Sequence, residues 1–242
     1  TDRTGSSKTR NIDLMSALPG QTMESYEYTL SKVLALEPEH ISAYSLILEE
    51  GTVFYDWYEK GKLDRGAWKL PSEEEEYAMG ELTIQRLAEA GMHRYEISNY
   101  AKPGKECRHN LGYWDRVEYL GIGAGSSSLI KGERFDHIRD RKAYIEKIRN
   151  GESILIDREI LSVESQMEEF MYLGLRKIEG VSRTDFQNYF GKNVDDVYGE
   201  ILDKLEEEQL LEFSGNRIRL THRGMDVSNC VLAEFLFLKA KN

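Results

Sequence analysis

The stretch Glu106-Cys107-Arg108-His109-Asn110-Leu111-Gly112-Tyr113-Trp114 places a thiol, a guanidinium, an imidazole, an amide and two aromatic rings within nine residues. It follows a Pro103-Gly104 turn signal and precedes the glycine-rich run Gly121-Ile122-Gly123-Ala124-Gly125. Loops between regular elements are common places for function. The plainer reading is that the His–Asn pair ties a loop to backbone and that Tyr–Trp fills core. Cys107 and His109 are two residues apart, a spacing that suits a metal, but two ligands do not make a site. Cys107 as a nucleophile needs a lowered pKa, which the adjacent Arg108 would favour. The five histidines are scattered and none sits in an H-x-x-x-H pair, so no zinc signature stands out. The glycine-rich run is a weak phosphate loop, because it lacks the G-x-x-x-x-G-K-[ST] pattern and the acid that follows a dinucleotide fingerprint.

Composition narrows the classes. The chain has 242 residues, 40% hydrophobic and 31% charged, enough for one large α/β domain or a domain with a smaller companion. A net charge of −11 argues against a general nucleic-acid binder, since phosphate neutralisation needs a basic face. No apolar run is long enough to span a bilayer and no signal peptide opens the chain. Two cysteines, Cys107 and Cys230, make no disulfide framework, so a reducing cytoplasm is the expectation. Cys230, beside Val231 and Leu232, reads as core.

The elements that must position these groups follow from periodicity. Thr1 to Arg10 has no period and reads as an incomplete start. Asn11 to Met15 is a short strand interrupted by Asp13, a carboxylate that needs a partner if buried: a backbone nest, an arginine, or the hydroxyls of a ligand. Thr22 caps a helix with Met23, Tyr26, Leu30, Val33 and Leu34 on one stripe. Ile41 to Leu48 is a second strand, apolar on both faces as in a parallel sheet. Val53 to Lys62 is a short helix. Ser72 to Glu75 is a capping box opening a helix to Ala90, with Tyr77, Ile84, Leu87 and Ala88 inward. Met92 to Ser98 reads as a third strand, and His109 to Trp114 as one helical turn. Tyr119 to Ile130 is apolar and glycine-rich, Arg134 to Ile138 a short strand, and Asp140 caps a helix to Gly151.

The pattern changes near Ser162. Helices follow from Ser162, Ser182 and Asn193, then strands Leu210–Phe213 and Arg217–Thr221 around a Ser214-Gly215-Asn216 turn. A last helix carries Val231, Phe235 and Leu238. This is the outline of a winged helix. From residue 160 to the end there are 10 Lys and Arg against 15 Asp and Glu, which favours a packing or lid domain over a DNA reader.

Several strings resemble the oxygen-independent coproporphyrinogen III oxidase-like family of radical S-adenosylmethionine proteins. They are Asn11-Ile12-Asp13-Leu14-Met15 through Gln21-Thr22, His40 to Leu46 with Glu49-Glu50-Gly51-Thr52, and Tyr95 to Ala101. His109-Asn110 with Tyr113-Trp114 is similar to the H-N-x-x-Y-W signature of that family's haem-chaperone branch (HemW-type). The resemblance implies an α/β fold: an incomplete radical S-adenosylmethionine (β/α) barrel over residues 1–155, then a small helical, winged-helix-like domain over 156–242. It implies a [4Fe–4S] cluster and S-adenosylmethionine in the full-length protein, with haem as a further ligand. Asp13 matches the family's acid near the adenosyl group, and Ile47 and Ser127 match positions that line that cofactor. His109 becomes the candidate haem or porphyrin ligand, with Tyr113 and Trp114 beside it.

The family's C-x-x-x-C-x-x-C cluster loop has no counterpart here, so no metal-ligating residue is assigned and this chain alone is expected to be inactive. The leading expectation is a haem-binding, chaperone-like radical S-adenosylmethionine protein that hands haem to an acceptor protein. The alternative is an oxygen-independent coproporphyrinogen III oxidase, decarboxylating propionates through a 5′-deoxyadenosyl radical.

Overall fold

A computed structural model describes residues 10–236. The reading made for Thr1 to Arg10, save Arg10 itself, and that for Leu238 lie outside the described residues. The chain forms two compact units, Thr1–Cys107 and Arg108–Asn242.

The first unit is a four-stranded mixed sheet with helices on one face. Its elements are β1 (Asn11–Ser16), α1 (Met23–Leu34), β2 (His40–Ser45), α2 (Val53–Glu59), α3 (Glu73–Glu89), β3 (His93–Arg94) and β4 (Asn99–Ala101). Strand order is β1-β2-β4-β3. β1 and β2 are parallel, with Asp13 opposite Ser42, and α1 makes the crossover between them. Thr22 accepts from the Ser25 amide while Ser25 caps back, so the helix starts where its sequence says it should. β4 runs antiparallel to β2 and places Asn99 opposite Ser42.

Strand alternation separates two faces. Leu14, Ile41 and Tyr100 pack with Tyr26, Leu30, Met79, Leu87 and Met92 into the core under α1 and α3. Asn11, Asp13, His40, Ser42 and Asn99 occupy the other, polar face by the same register.

Four expectations need correction here. Asp13 is exposed, because β1 is the edge strand of the sheet. β2 ends at Ser45, where its pairing with Ser16 ends, so Ile47 lies in a loop and is 74% exposed. The inner stripe of α3 is Met79, Thr83 and Leu87, not Tyr77, which is 52% exposed. Thr83 conceals the phase: its hydroxyl is satisfied by the Met79 carbonyl at 2.8 Å and the Tyr26 hydroxyl at 2.6 Å, so a polar residue can lie in the core. Met92 to Ser98 is not one strand; it folds back after Arg94, and Asn99–Ala101 is the missed return strand.

The second unit contains α4 (Arg108–Trp114), β5 (Ser127–Ile130), β6 (Glu133–His137), α5 (Arg141–Asn150), β7 (Leu155–Ile160), α6 (Val163–Gly174), β8 (Val181–Ser182), α7 (Arg183–Phe190), α8 (Val194–Glu207), β9 (Leu211–Ser214), β10 (Arg217–Leu220), α9 (His222–Asp226) and α10 (Ser228–Ala233). β5, β6 and β7 form an antiparallel sheet. β7 escaped the sequence reading because it reads L-I-D-R-E-I and is mostly exposed.

Three helices followed by a hairpin appear as expected from α6 to β10, with β8 added to the hairpin's edge. The core here is aromatic: Phe186, Tyr198 and Phe235 are fully buried, and Phe186 meets Phe190 at 4.8 Å and Tyr198 at 6.1 Å. Gly180 has φ +66°, and a Cβ there would stand 2.0 Å from the Ile218 carbonyl oxygen, so only glycine fits against the hairpin. Cys230 is exposed rather than core, since the buried stripe of α10 runs through Ser228, Val231 and Leu232. Among the described residues no helix is long and apolar enough to cross a membrane.

Candidate functional site

In the first unit the polar face of the sheet is organised around His40. Its Nδ1 lies 2.7 Å from Asn11 Oδ1 and its Nε2 2.7 Å from the Tyr95 hydroxyl. The Asn11 oxygen only accepts, so Nδ1 carries the proton, an assignment made from the network. The Tyr95 hydroxyl then donates to Nε2 and accepts from the Cys107 amide at 3.3 Å. A neutral imidazole thus joins the starts of β1 and β2 to the segment that ends at Cys107. Burial lowers the His40 pKa, against the opposing pull of Asp13, Glu96 and Glu106.

The buried acid of this unit is Glu96, fully buried, and not Asp13. One Glu96 oxygen accepts from the Ser98 amide at 2.7 Å and from the Asn99 side chain at 2.5 Å. The signal was present in Glu96-Ile97-Ser98-Asn99: a carboxylate followed at two and three residues by donors is a local turn motif. Asp13, exposed on the polar face, is free to accept hydrogen bonds, which fits the ribose hydroxyls of S-adenosylmethionine. Ile47 offers an exposed apolar side chain in the loop after β2.

In the second unit His109 lies on α4, as the helical turn read over His109 to Trp114 leads one to expect, and is exposed. Tyr113 is one turn on, and its ring meets the imidazole edge-to-face at 4.7 Å. Tyr119 continues the stack, 4.8 Å from Tyr113 and again edge-to-face. Trp114 does not join them. Five residues from His109, it is rotated by about 140° around the helix, and its ring lies under Arg176, 4.4 Å from the guanidinium carbon. Trp114 instead lines a cavity of ≈ 260 Å³ with Phe170, Lys177 and Arg217. Ser127 is exposed at the start of β5.

Behind the ring stack lies a buried ion triad that sequence reasoning missed. Glu169, 4% exposed on α6, accepts from Arg116 Nε at 3.0 Å and Arg134 Nη2 at 2.8 Å. Arg134 also hydrogen-bonds the Tyr119 hydroxyl, and burial raises the Tyr119 pKa while Arg134 opposes that rise. Nothing local marks this triad, because its members are 18 and 35 residues apart along the chain.

An exposed imidazole flanked by an aromatic ring suits a flat macrocycle with an axial position to fill. Among the described residues neither His109 nitrogen has a hydrogen-bond partner, so the ring fits haem ligation. The iron–sulfur cluster does not fit this chain: only two cysteines are present, one in each unit, and a cubane cluster needs more thiolates.

Comparisons with known proteins agree with this architecture. Residues 161–227 match the HemN C-terminal domain family, beginning where the helical pattern changes. The chain is 40% identical over 226 residues to the haem chaperone HemW of Bacillus subtilis, covering 93% of this chain and 58% of that protein. It is 40% identical over 225 residues to the haem chaperone HemW of Lactococcus lactis, again covering 58% of that protein. The fold matches that of coproporphyrinogen III oxidase (HemN) from Escherichia coli, described as a radical SAM enzyme, with a TM-score of 0.75 over 94% of this chain and 55% of that one, at 18% identity. In sequence the chain is thus similar to the haem chaperones HemW, of which it spans a little over half the length, and in fold to HemN.

Proposed function

We propose that this chain is the haem-handling part of a radical S-adenosylmethionine haem chaperone. The observation that carries the reading is the exposed His109 imidazole, open at both nitrogens among the described residues and held edge-to-face on Tyr113. His109 would ligate the haem iron, with Tyr113 beside the macrocycle. Trp114 contributes from the other side of α4, by fixing that helix against Arg176. Bound S-adenosylmethionine would supply the family's radical chemistry. In the first unit Asp13 would accept hydrogen bonds from its ribose hydroxyls and Ile47 would line its apolar side. A [4Fe–4S] cluster would be held by cysteines outside this sequence.

The division into a barrel part over 1–155 and a helical domain over 156–242 belongs to the same proposal, supported by the start of the family match at residue 161. So does a reducing, cytoplasmic setting, and an acceptor protein that takes the haem. The 40% identity to haem chaperones favours haem carriage over coproporphyrinogen decarboxylation, since the likeness to the oxidase is one of fold.

The direct test is transfer. The protein is loaded with one equivalent of haem and mixed with apomyoglobin, and the Soret band is followed. Uptake of haem at 1:1 and its passage to the acceptor support the reading. Failure to take up haem, or retention of it in the presence of acceptor, overturns it. Asp13→Ala should weaken S-adenosylmethionine binding by calorimetry; an unchanged isotherm removes Asp13 from the site.

A further inference from the structure

His109 is exposed on a seven-residue helix, which by itself gives an imidazole little fixed direction. A ligand to iron must point along one line, and long side-chain freedom works against that. The side chains around it supply the constraint in three stages.

The first stage is the Tyr113 ring, edge-to-face with His109 at 4.7 Å and an interplanar angle of 76°. Tyr113 is itself 37% exposed and is not locked by burial. The second stage is Tyr119, whose ring meets Tyr113 at 4.8 Å and 80°. Tyr119 is fixed at both ends. Its backbone exchanges two hydrogen bonds with Leu129 of β5, at 2.9 and 3.0 Å. Its hydroxyl accepts from Arg134. The third stage is Glu169, which holds Arg134 and Arg116 together from the buried side of α6. Arg116 has φ +54°, a left-handed conformation uncommon for a residue with a side chain. The turn that leaves α4 is therefore also fixed by the ion triad.

We propose that Tyr119, clamped between β5 and the Arg134–Glu169 pair, is the positioning residue of His109, acting through the Tyr113 ring. The proposal deepens the haem reading and rests on it for the identity of the ligand. Its geometric half, that Tyr119 sets the direction of the imidazole, stands independently.

The test has two arms. In the first, proton NMR of the wild-type protein without haem should show contacts between the His109 imidazole and Tyr113 ring protons. Tyr119→Phe should keep those contacts, because it keeps the ring, and Tyr119→Leu should lose them. In the second, Tyr119→Leu should weaken haem binding about two- to tenfold, the effect of one aromatic pair, and broaden the Soret band. Tyr119→Phe should restore affinity to within about twofold of wild type, because most of the pair's energy comes from the ring.

Absence of the His109–Tyr113 contacts in wild type overturns the proposal without any variant, so it stays testable if Tyr119→Leu does not fold. A folded Tyr119→Leu protein that keeps both the contacts and wild-type haem affinity also overturns it, leaving Tyr119 a purely structural residue. If His109→Ala binds haem as tightly as wild type, the haem reading fails, and the NMR arm alone judges the positioning role.

Discussion

Replacing Glu169 by glutamine tests whether the ion triad is the mechanical base of the second unit. The side chain of Glu169 is 5% exposed, that of Arg116 13% and that of Arg134 35%. Glutamine keeps the shape and removes the charge. Arg116 is then left with a buried, uncompensated guanidinium, whereas Arg134 can turn part of its charge toward water. Breaking a buried pair by neutralising one partner costs about 3–5 kcal/mol. The solvent-exposed share of Arg134 argues for the lower end, about 3 kcal/mol. With a urea slope of about 2 kcal/mol/M, the unfolding midpoint should fall by about 1.5 M. Trp114 is the single tryptophan of the second unit, so its fluorescence in a Trp57→Phe, Trp68→Phe background reports that unit. The control is Arg158→Gln, which breaks the Arg158–Glu133 pair, where the arginine side chain is 67% exposed. It should cost less than about 1 kcal/mol. A Glu169→Gln midpoint shift no larger than that of the control would refute the reasoning.

Two further predictions follow from buried polar groups. Burial depresses the His40 pKa below its ordinary value, so the unfolded chain binds more protons than the folded one in the acid range. Stability should be full above about pH 6.5, the unfolded value, and fall as pH drops from there through the lower folded value. Urea midpoints at pH 8 and pH 5 should differ less for His40→Gln than for wild type, and an equal difference would count against this. The Tyr198 hydroxyl is buried without a hydrogen-bond partner among the described residues, and burial raises its pKa. Tyr198→Phe should therefore leave stability unchanged or raise it by about 1 kcal/mol, read as a rise in melting temperature; a loss would reveal a partner for the hydroxyl.

Much of the fold was legible because local signals dominate its helices. Thr22, Ser72, Asp140, Ser162, Ser182 and Asn193 each cap the helix that the sequence assigned to them. What was hidden depends on partners distant in sequence. Thr83 passes as surface until Tyr26 is seen to accept its company in the core. β7 shows no alternation because both its faces are largely open. The order of acids was misread for a similar reason: Asp13 sits on the edge strand, and the buried Glu96 is satisfied by donors two and three residues ahead.

The candidate site was legible as a motif and less so as geometry. The spacing of His109 and Tyr113 on one helical face follows from their separation of four. The turning away of Trp114 follows equally from a separation of five, once the stretch is known to be a helix. Tyr119, Arg134 and Glu169 come to the back of that face only through β5, β6 and α6, and no motif announces them.

The central claim is that His109 would ligate the haem this chain is proposed to bind. It is tested most directly by titrating ferric haem into the wild-type protein and into His109→Ala, following the Soret band and confirming by circular dichroism that the variant is folded. The imidazole is exposed and contributes little packing, so the fold should be unaffected. The account predicts at least a tenfold weaker complex, about 1.4 kcal/mol or more, with a shifted Soret maximum. A folded His109→Ala protein with wild-type affinity and an unchanged spectrum would contradict it.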